Sequence, residues 1–202
     1  MENVTFDFSE LHLHGPAFYD FLKLRKRIFV DVLKWDVPNN GIVEMDQYDN
    51  PLAYYSLVLQ DGNVIGGGRV MPTTSVWGES TYMLRDAALG KLPYIPSNLL
   101  DDDLSTPKVW EVTRLAISEE LTNHSERAEC LSLIMDGMID IAAKQGASEL
   151  ISLSPVLMRR TLRQLGYMAN QVGTAYADPE DGRKYAVLSL GTSDSAYASV
   201  AA

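Results

Sequence analysis

The stretch Val109-Trp110-Glu111-Val112-Thr113-Arg114-Leu115-Ala116-Ile117-Ser118 decides how this chain folds. It is apolar or β-branched at most positions, is too short for a long helix, and reads as a central strand. Two charges interrupt it. A charge in a central strand costs several kcal/mol, on the order of what burying an ion without a partner costs, so Glu111 and Arg114 require partners. Strict alternation puts positions 111 and 114 on opposite faces. A bulge between them would bring both to one side.

Working outward, residues 125–145 form the best helix of the chain. Leu131, Ile134, Met135, Met138, Ile141 and Ala142 line one face at three- and four-residue steps. Ser125 is the expected N-cap, Glu126 and Glu129 suit the positive end of the helix dipole, and Gly146 ends the helix. A strand over 149–154 and a short helix over 156–165 follow. Two further strands, near 167–176 and 184–190, flank the turn around Asp178-Pro179-Glu180-Asp181-Gly182. Upstream, 16–33 reads as one helix whose stripe runs through Phe18, Phe21, Leu22, Ile28, Phe29 and Val32 and includes Arg25. The polar stretch 36–51 is a loop. Strands over 52–60 and 64–71 are joined at Asp61-Gly62-Asn63, and Gly66-Gly67-Gly68 in the second marks a bulge or a close backbone approach. Residues 72–108 form a long excursion with an acidic run, Asp101-Asp102-Asp103, and a short helix near Met83–Ala88. Strands interspersed with helices predict an α/β sandwich around one twisted sheet.

The chain has 202 residues, 46% of them hydrophobic, which suits a single domain over 1–202 with a small, polar and loosely ordered tail at 191–202. No apolar run approaches the ~18 residues of a membrane span. Met1-Glu2-Asn3-Val4 has neither a basic region nor an apolar run, so no signal peptide is expected. The single cysteine, Cys130, excludes an internal disulfide and fits a cytoplasmic location. A net charge of −10 argues against broad nucleic-acid binding. His12, His14 and His124 have no metal-ligand spacing, and there is no P-loop or GxGxxG, so no metal or redox cofactor is expected.

What remains is charge in unusual places. Arg25 lies on an apolar helical face, where it either snorkels or meets a buried carboxylate. Arg69 follows the three glycines in a strand. Glu44, Asp46 and Asp49 cluster in the loop, either as solvated acids or as partners for Arg25 and Arg69 and a negative wall for a cationic ligand. Phe29 and Trp35 flank the helix end, as core residues or as a platform for an adenine or a sulfonium. Arg159, Arg160 and Arg163 share one side of the last helix, a local exception on an acidic chain.

The ordered set Arg25-x3-Phe29-x5-Trp35, Glu44-x-Asp46-x2-Asp49, Arg69-x2-Pro72-Thr73 and Trp110-Glu111-x2-Arg114, continued more weakly by Leu162-x3-Gly166-Tyr167, resembles the LuxI-type acyl-homoserine-lactone synthases. The resemblance implies a GNAT-like three-layer sandwich: a central twisted mixed sheet with splayed middle strands, flanked by helices. It implies quorum-sensing signal production from S-adenosylmethionine and an acyl group carried on acyl carrier protein or coenzyme A. S-adenosylmethionine would be a substrate, not a cofactor, and no nucleic acid or membrane would take part. The chain departs from the family's usual pattern in the longer stretch between Arg69 and Glu111 and in Leu115 where phenylalanine is common, both near the implied acyl tunnel. The glycine-bearing pyrophosphate loop of ordinary GNAT acetyltransferases is missing after Ser118.

The resemblance also implies roles. The amine of S-adenosylmethionine attacks the thioester, with Glu111 as the candidate base and Arg114 holding it. The carboxylate then closes the lactone and expels methylthioadenosine. Arg25 and Arg69 orient the substrate carboxylate and the Asp46/Asp49 wall, and Phe29 and Trp35 pack on the adenosyl or sulfonium part. Ser152 matches a hydroxyl position beside the acyl chain, either reading a 3-oxo group or bonded to backbone. Arg159, Arg160 and Arg163 would dock an acidic carrier protein. Two alternatives stay open: a GNAT-like N-acyltransferase that makes an N-acyl amino acid, and an inactive ligand-binding relative.

Overall fold

The computed structural model describes residues 1–100, 103–179 and 181–193. Seven strands, β1 (Glu2–Asp7), β2 (Tyr54–Gln60), β3 (Asn63–Pro72), β4 (Val109–Ile117), β5 (Glu149–Pro155), β6 (Asn170–Ala177) and β7 (Lys184–Gly191), alternate with helices α1 (Ala17–Arg25), α2 (Met83–Ala88), α3 (His124–Lys144) and α4 (Val156–Gln164). The strands follow the order β1-β2-β3-β4-β5-β7-β6 in a mixed sheet. β1, β2 and β3 pair antiparallel, β4 with β5 parallel, and β7 antiparallel to both β5 and β6. The chain divides into two compact units, one of Met1–Val70 with Thr113–Ile141, the other of Met71–Val112 with the chain from Ala142 onward.

In the first unit the three glycines explain the layering. A Cβ on Gly66 would come within 2.6 Å of Cys130 Sγ, and one on Gly68 within 2.6 Å of Met138 Cε, both on α3. A Cβ on Gly67 would meet Leu57 and Phe21 on the other face. Glycine at alternating positions therefore lets α3 approach one side of β3 while α1 packs on the other. The apolar core on the α1 side gathers Phe6, Phe21, Leu24, Phe29, Tyr55, Leu57 and Ala116. The β2–β3 turn is tighter than the sequence implied. Gln60 pairs with Asn63, leaving Asp61 (φ 51°) and Gly62 (φ 78°) as a two-residue turn with both residues left-handed, the geometry that follows the twist of a hairpin.

Three expectations are corrected here. The helix over 16–33 is α-helical only to Arg25 and continues as a π-helical segment, Lys26–Val32, closed by the Leu33 N–H on the Ile28 carbonyl at 2.9 Å. The wider turn rotates Val32 off the apolar stripe, and it is exposed. The cap of α3 is Asn123, whose Oδ1 accepts the Ser125 N–H at 2.8 Å; Ser125 lies inside the helix. Finally, the structure adds β1, for which the sequence pattern gives no signal. Its short run, Glu2 to Asp7, has a single fully buried side chain, Phe6, because it is an edge strand.

The second unit buries Tyr82, Leu84, Leu99, Val109, Ile151 and Val187 together. α2 occupies the span expected for it. The β4–β5 ladder runs through Val109↔Glu149, Trp110↔Leu150 and Glu111↔Ile151. Val112 and Ser152, next in line, form no ladder pair among the described residues, so the strands part after Glu111. Gly191 and Thr192 belong to the fold rather than to a loose tail: Gly191 pairs with Glu149, and the Thr192 hydroxyl donates to the Ala147 carbonyl at 2.6 Å. The remainder of that tail from residue 194, with Asp101, Asp102 and Glu180, lies outside the described residues.

Candidate active site

Three arginines and three carboxylates of the first unit form one closed cluster. Arg25, at the junction of α1 and the π-helical segment, donates from Nε to Glu44 at 2.6 Å and from Nη1 and Nη2 to the two oxygens of Asp49 at 2.8 Å each. Arg69, on β3, donates from Nη1 and Nη2 to Asp46 at 2.6 and 3.2 Å, and from Nε to Thr113 Oγ1 at 3.0 Å. Its Nη1 also stands 2.8 Å from Asp49 Oδ1. Arg114, on β4, reaches Glu44 through Nε at 3.1 Å and Asp46 through Nη2 at 2.8 Å. Three cations face three anions, so the cluster is formally neutral.

Burial decides what this cluster does. The side chains of Arg25, Arg69, Glu44 and Asp49 have no exposed surface, whereas Arg114 retains 11%. Desolvation works against the charged form of Asp49, but Arg69 and Arg25 outweigh it and hold its carboxyl well below the usual carboxylate range. Asp46 is lowered in the same way, burial being outweighed by Arg69 and Arg114. Burial opposes the charge on Arg25 and Arg69 too, and their carboxylate partners more than reverse it, so both stay protonated. Of the two readings that the sequence left open for this loop, solvated acids or partners for Arg25 and Arg69, the structure has the second, with Asp46 and Asp49 buried and ionised.

The loop also bonds to itself. The Asp46 N–H donates to Asp49 Oδ2 at 2.9 Å, and the Tyr48 N–H to Asp46 Oδ1 at 2.9 Å. Aromatic rings pack on the guanidinium groups: Phe21 by Arg25, Tyr48 by Arg69 and Phe29 by Arg114, each 5.5 Å from ring centre to Cζ. Phe29 in turn stacks on Trp35, with centroids 5.2 Å apart and planes 6° apart. The Trp35 N–H reaches the Phe29 carbonyl at 2.9 Å, so the π-helical exit fixes this stack.

Arg114 has φ 56°, left-handed backbone rare for a side chain of its size. The sequence offered a bulge between positions 111 and 114; the backbone irregularity that the structure shows is at Arg114 itself. Glu111, in the second unit, is wholly buried. Its Oε2 accepts the Met83 N–H at 2.7 Å and its Oε1 the Leu84 N–H at 2.9 Å, at the start of α2. These amides are among the donors that a helix start leaves unpaired, so the carboxylate orders α2 from a neighbouring strand.

Ser152 and Ser154, both half-buried on β5, have hydroxyl oxygens 2.9 Å apart. Leu115 is half-buried on β4. On α4, Arg160 and Arg163 are exposed and Arg159 partly so, but Arg163 is tied down, its Nε on the Ala169 carbonyl at 2.8 Å and its Nη2 on Asn170 at 3.0 Å. Residues that the sequence reading did not single out complete the cluster: Tyr55, whose hydroxyl donates to Asp49 at 3.0 Å, Tyr48 and Thr113. Only Thr113 left a trace, as a hydroxyl in an apolar strand. Among the described residues no group of His, Cys, Asp and Glu is arranged to hold a metal ion, and no helix is long and apolar enough to cross a membrane.

Comparison with known proteins bears on this geometry. The autoinducer synthase family model matches residues 12–200. The acyl-homoserine-lactone synthase of Acinetobacter nosocomialis is 30% identical over 161 residues, 76% of this chain and 81% of that protein. The synthase of Aliivibrio fischeri strain ES114 is 23% identical over 188 residues, 91% of each. Among solved structures, TofI in a ternary complex with an inhibitor and MTA aligns with a TM-score of 0.76 at 25% identity, covering 97% of this chain and 94% of that one. The CoA-dependent acyl-homoserine lactone synthase BjaI, solved with SAM and isopentyl-CoA, aligns with a TM-score of 0.73 at 18% identity, covering 94% and 82%, a likeness of fold. An acyl-CoA N-acyltransferase from Pseudomonas aeruginosa shares the fold more distantly, with a TM-score of 0.56 at 12% identity over 93% and 97%.

Proposed function

The chain belongs to the autoinducer synthase family and is an acyl-homoserine-lactone synthase, an acyltransferase of GNAT-like fold, and from that premise we propose how its residues do the work. The observation that carries the proposal is the neutral cluster of Arg25, Glu44, Asp46, Asp49, Arg69 and Arg114 beneath the Phe29–Trp35 stack.

In this proposal S-adenosylmethionine is a substrate and no further cofactor takes part. Arg25 and Arg69 have their donors turned inward, so they act by holding the acidic loop. Arg114, the least buried of the three cations, is the one available to a substrate carboxylate. Phe29 and Trp35 offer π-faces to the adenosyl or sulfonium part, where cation–π attraction favours a positive centre. Glu44, Asp46 and Asp49, neutralised by the three arginines, act by holding Arg114 beside that platform.

The first bond forms when the α-amine attacks the acyl thioester carbonyl and the thiol leaves. The amine must be neutral, and an α-amino group titrates at about 7.7–8.0. Glu111, its carboxylate fixed by two amides of α2, takes the proton directly or through water. Backbone N–H groups freed where β4 and β5 part stabilise the oxyanion. The carboxylate oxygen then attacks the γ-carbon beside the sulfonium. The leaving group is already good, so this step needs mainly the right conformer. Leu115 and Ser152 border the acyl chain. Arg159, Arg160 and Arg163, beside Leu157 at 78% exposure, form the face for an acidic acyl carrier protein. The enzyme works as a single domain in the cytoplasm.

Mass spectrometry of purified protein with S-adenosylmethionine and a panel of acyl-carrier and acyl-CoA donors tests this. Methylthioadenosine and an acyl-homoserine lactone are expected together. Thiol release without methylthioadenosine would identify a different amine acceptor and overturn the reading.

A further inference from the structure

Three departures from regular backbone converge on one spot of the first unit. The π-helical segment Lys26–Val32 carries Phe29. Lys34 is left-handed, with φ 61°, and the chain turns there so that Trp35 stacks on Phe29. Arg114 is left-handed as well, and its guanidinium stands 5.5 Å from the Phe29 ring centre. Each departure is uncommon, and such conformations persist where the surrounding structure holds them.

The π-helical segment is held at its start, its middle and its end. At the start, Arg25 is fixed by Glu44 and Asp49. At the end, the Leu33 and Trp35 amides donate to the Ile28 and Phe29 carbonyls. In the middle, Arg27 reaches out of the segment to the far end of β4: Nη2 donates to Ser118 Oγ and Nη1 to Glu120 Oε1, each at 2.8 Å. Ser118 is a firm anchor. It is buried, its N–H donates to the Ile65 carbonyl of β3 at 2.7 Å, and its carbonyl accepts from Arg127 of α3 at 3.0 Å. Lys26, beside Arg27, bonds within the segment instead, to Asp31 at 2.8 Å. Because Ser118 follows directly on the strand that carries Arg114, Arg27 ties the segment bearing Phe29 to the strand bearing Arg114.

We propose that Arg27 is a positioning residue for S-adenosylmethionine: by its bonds to Ser118 and Glu120 it keeps Lys26–Val32 π-helical and so sets the Phe29–Trp35 stack beside Arg114. The proposal rests on the reading that this stack and Arg114 receive S-adenosylmethionine. Released from its two partners, the segment relaxes toward the α-helical hydrogen-bond pattern, which closes a shorter turn and rotates Phe29 away from Trp35 and Arg114. Arg27 touches no reacting atom in this scheme, so its loss falls on the binding of one substrate. Its side chain is 40% exposed, so truncating it leaves no buried charge behind.

The test is calorimetry of S-adenosylmethionine binding to the purified protein without an acyl donor, joined to steady-state KM values for both substrates. Wild-type protein is compared with Arg27→Ala, Arg27→Lys, Ser118→Ala, Lys26→Ala and Trp35→Ala. Arg27→Ala should raise the Kd and KM for S-adenosylmethionine by about 3–10-fold, in line with the loss of a hydrogen bond, and hold the KM for the acyl donor within about twofold. Arg27→Lys, which keeps a charged donor, should recover part of the loss. Ser118→Ala should act in the same direction, and combining it with Arg27→Ala should add little, because the two groups act as a unit. Lys26→Ala removes an ion pair from the same segment but not its tie to β4, and should leave the Kd within about twofold of wild type. A wild-type Kd in Arg27→Ala, with Trp35→Ala weakening binding, overturns the positioning role and leaves the aromatic platform intact. Equal rises in KM for both substrates overturn it as well, since they report a general loss of structure. Unchanged binding in Trp35→Ala removes S-adenosylmethionine from the stack and overturns the reading on which the proposal rests.

Discussion

Arg25 and Asp49 meet as a fork on a fork: two parallel hydrogen bonds of 2.8 Å join Nη1 and Nη2 to the two carboxylate oxygens, and neither side chain is exposed. This geometry is the strongest form of a guanidinium–carboxylate contact. Its partners extend it, because Asp49 also accepts from Tyr55 and lies against Arg69.

Asp49→Asn leaves Arg25 and Arg69, neither with any exposed side-chain surface, short of an anion. Breaking a buried pair costs roughly 3–5 kcal/mol, so the urea midpoint should fall sharply. Lys23→Ala, which removes an exposed pair with Asp20, should cost less than about 1 kcal/mol. Equal small losses in both variants would show that the buried cluster does not hold the unit together.

The same cluster sets an acid limit. The carboxyl groups of Asp46 and Asp49 are depressed in the folded protein, so unfolded chains bind protons more readily than folded ones as the pH falls. Their contribution is fully present above the unfolded value of about 3.9 and is lost as pH drops below it toward the folded values. Urea melts of wild type and Asp49→Asn across pH 3 to 7 should therefore show a stability gap that is constant near neutrality and narrows below about pH 4. A gap of constant size throughout would contradict the depression.

Glu111→Gln keeps one of the two oxygens that accept from α2, gives up the other bond and removes the proton acceptor. Turnover should drop by about 10²–10⁴-fold with circular dichroism unchanged, the range for a lost general base. Near wild-type turnover would limit Glu111 to its bonds with Met83 and Leu84.

Arg159→Glu combined with Arg160→Glu tests the carrier face and spares Arg163, which is bonded to Ala169 and Asn170. Steady-state kinetics should give a raised KM for acyl chains on carrier protein and little change for acyl-CoA, since charge complementarity acts on the protein partner. Equal effects on both donors would refute docking.

Much of the fold was legible because its signals are local. The apolar stripe of α3, the run of β4 and the hairpin glycine are written in consecutive residues, and the corresponding elements stand within a few positions of their expected bounds. β1 was not legible because an edge strand needs little apolar patterning, and the π-helical segment was not because its apolar spacing resembles that of an α-helix until its hydrogen bonds are seen. At the site, the charged residues stood out because charge in an apolar helix or strand demands a partner. Tyr48 and Tyr55 did not, since a tyrosine in a loop or strand is ordinary until its hydroxyl or ring meets an ion.

By itself, then, the sequence determined most of the elements, though neither β1 nor the π-helical segment, together with the family and the membership of the charged set: Arg25, Glu44, Asp46, Asp49, Arg69, Glu111 and Arg114 were all marked by residue type in context. Only the tertiary structure decided the pairing. It gave Arg25 to Asp49 and Glu44, Arg69 to Asp46, and Arg114 to Glu44 and Asp46, and it set Glu111 on the amides of α2. Periodicity is a property of neighbouring residues, whereas these partners lie far apart in sequence, Arg114 and Glu44 by 70 positions. Which carboxylate meets which guanidinium depends on how the 36–51 loop folds back under α1 and the strands, and on the left-handed turn of Arg114 that aims its side chain into that loop.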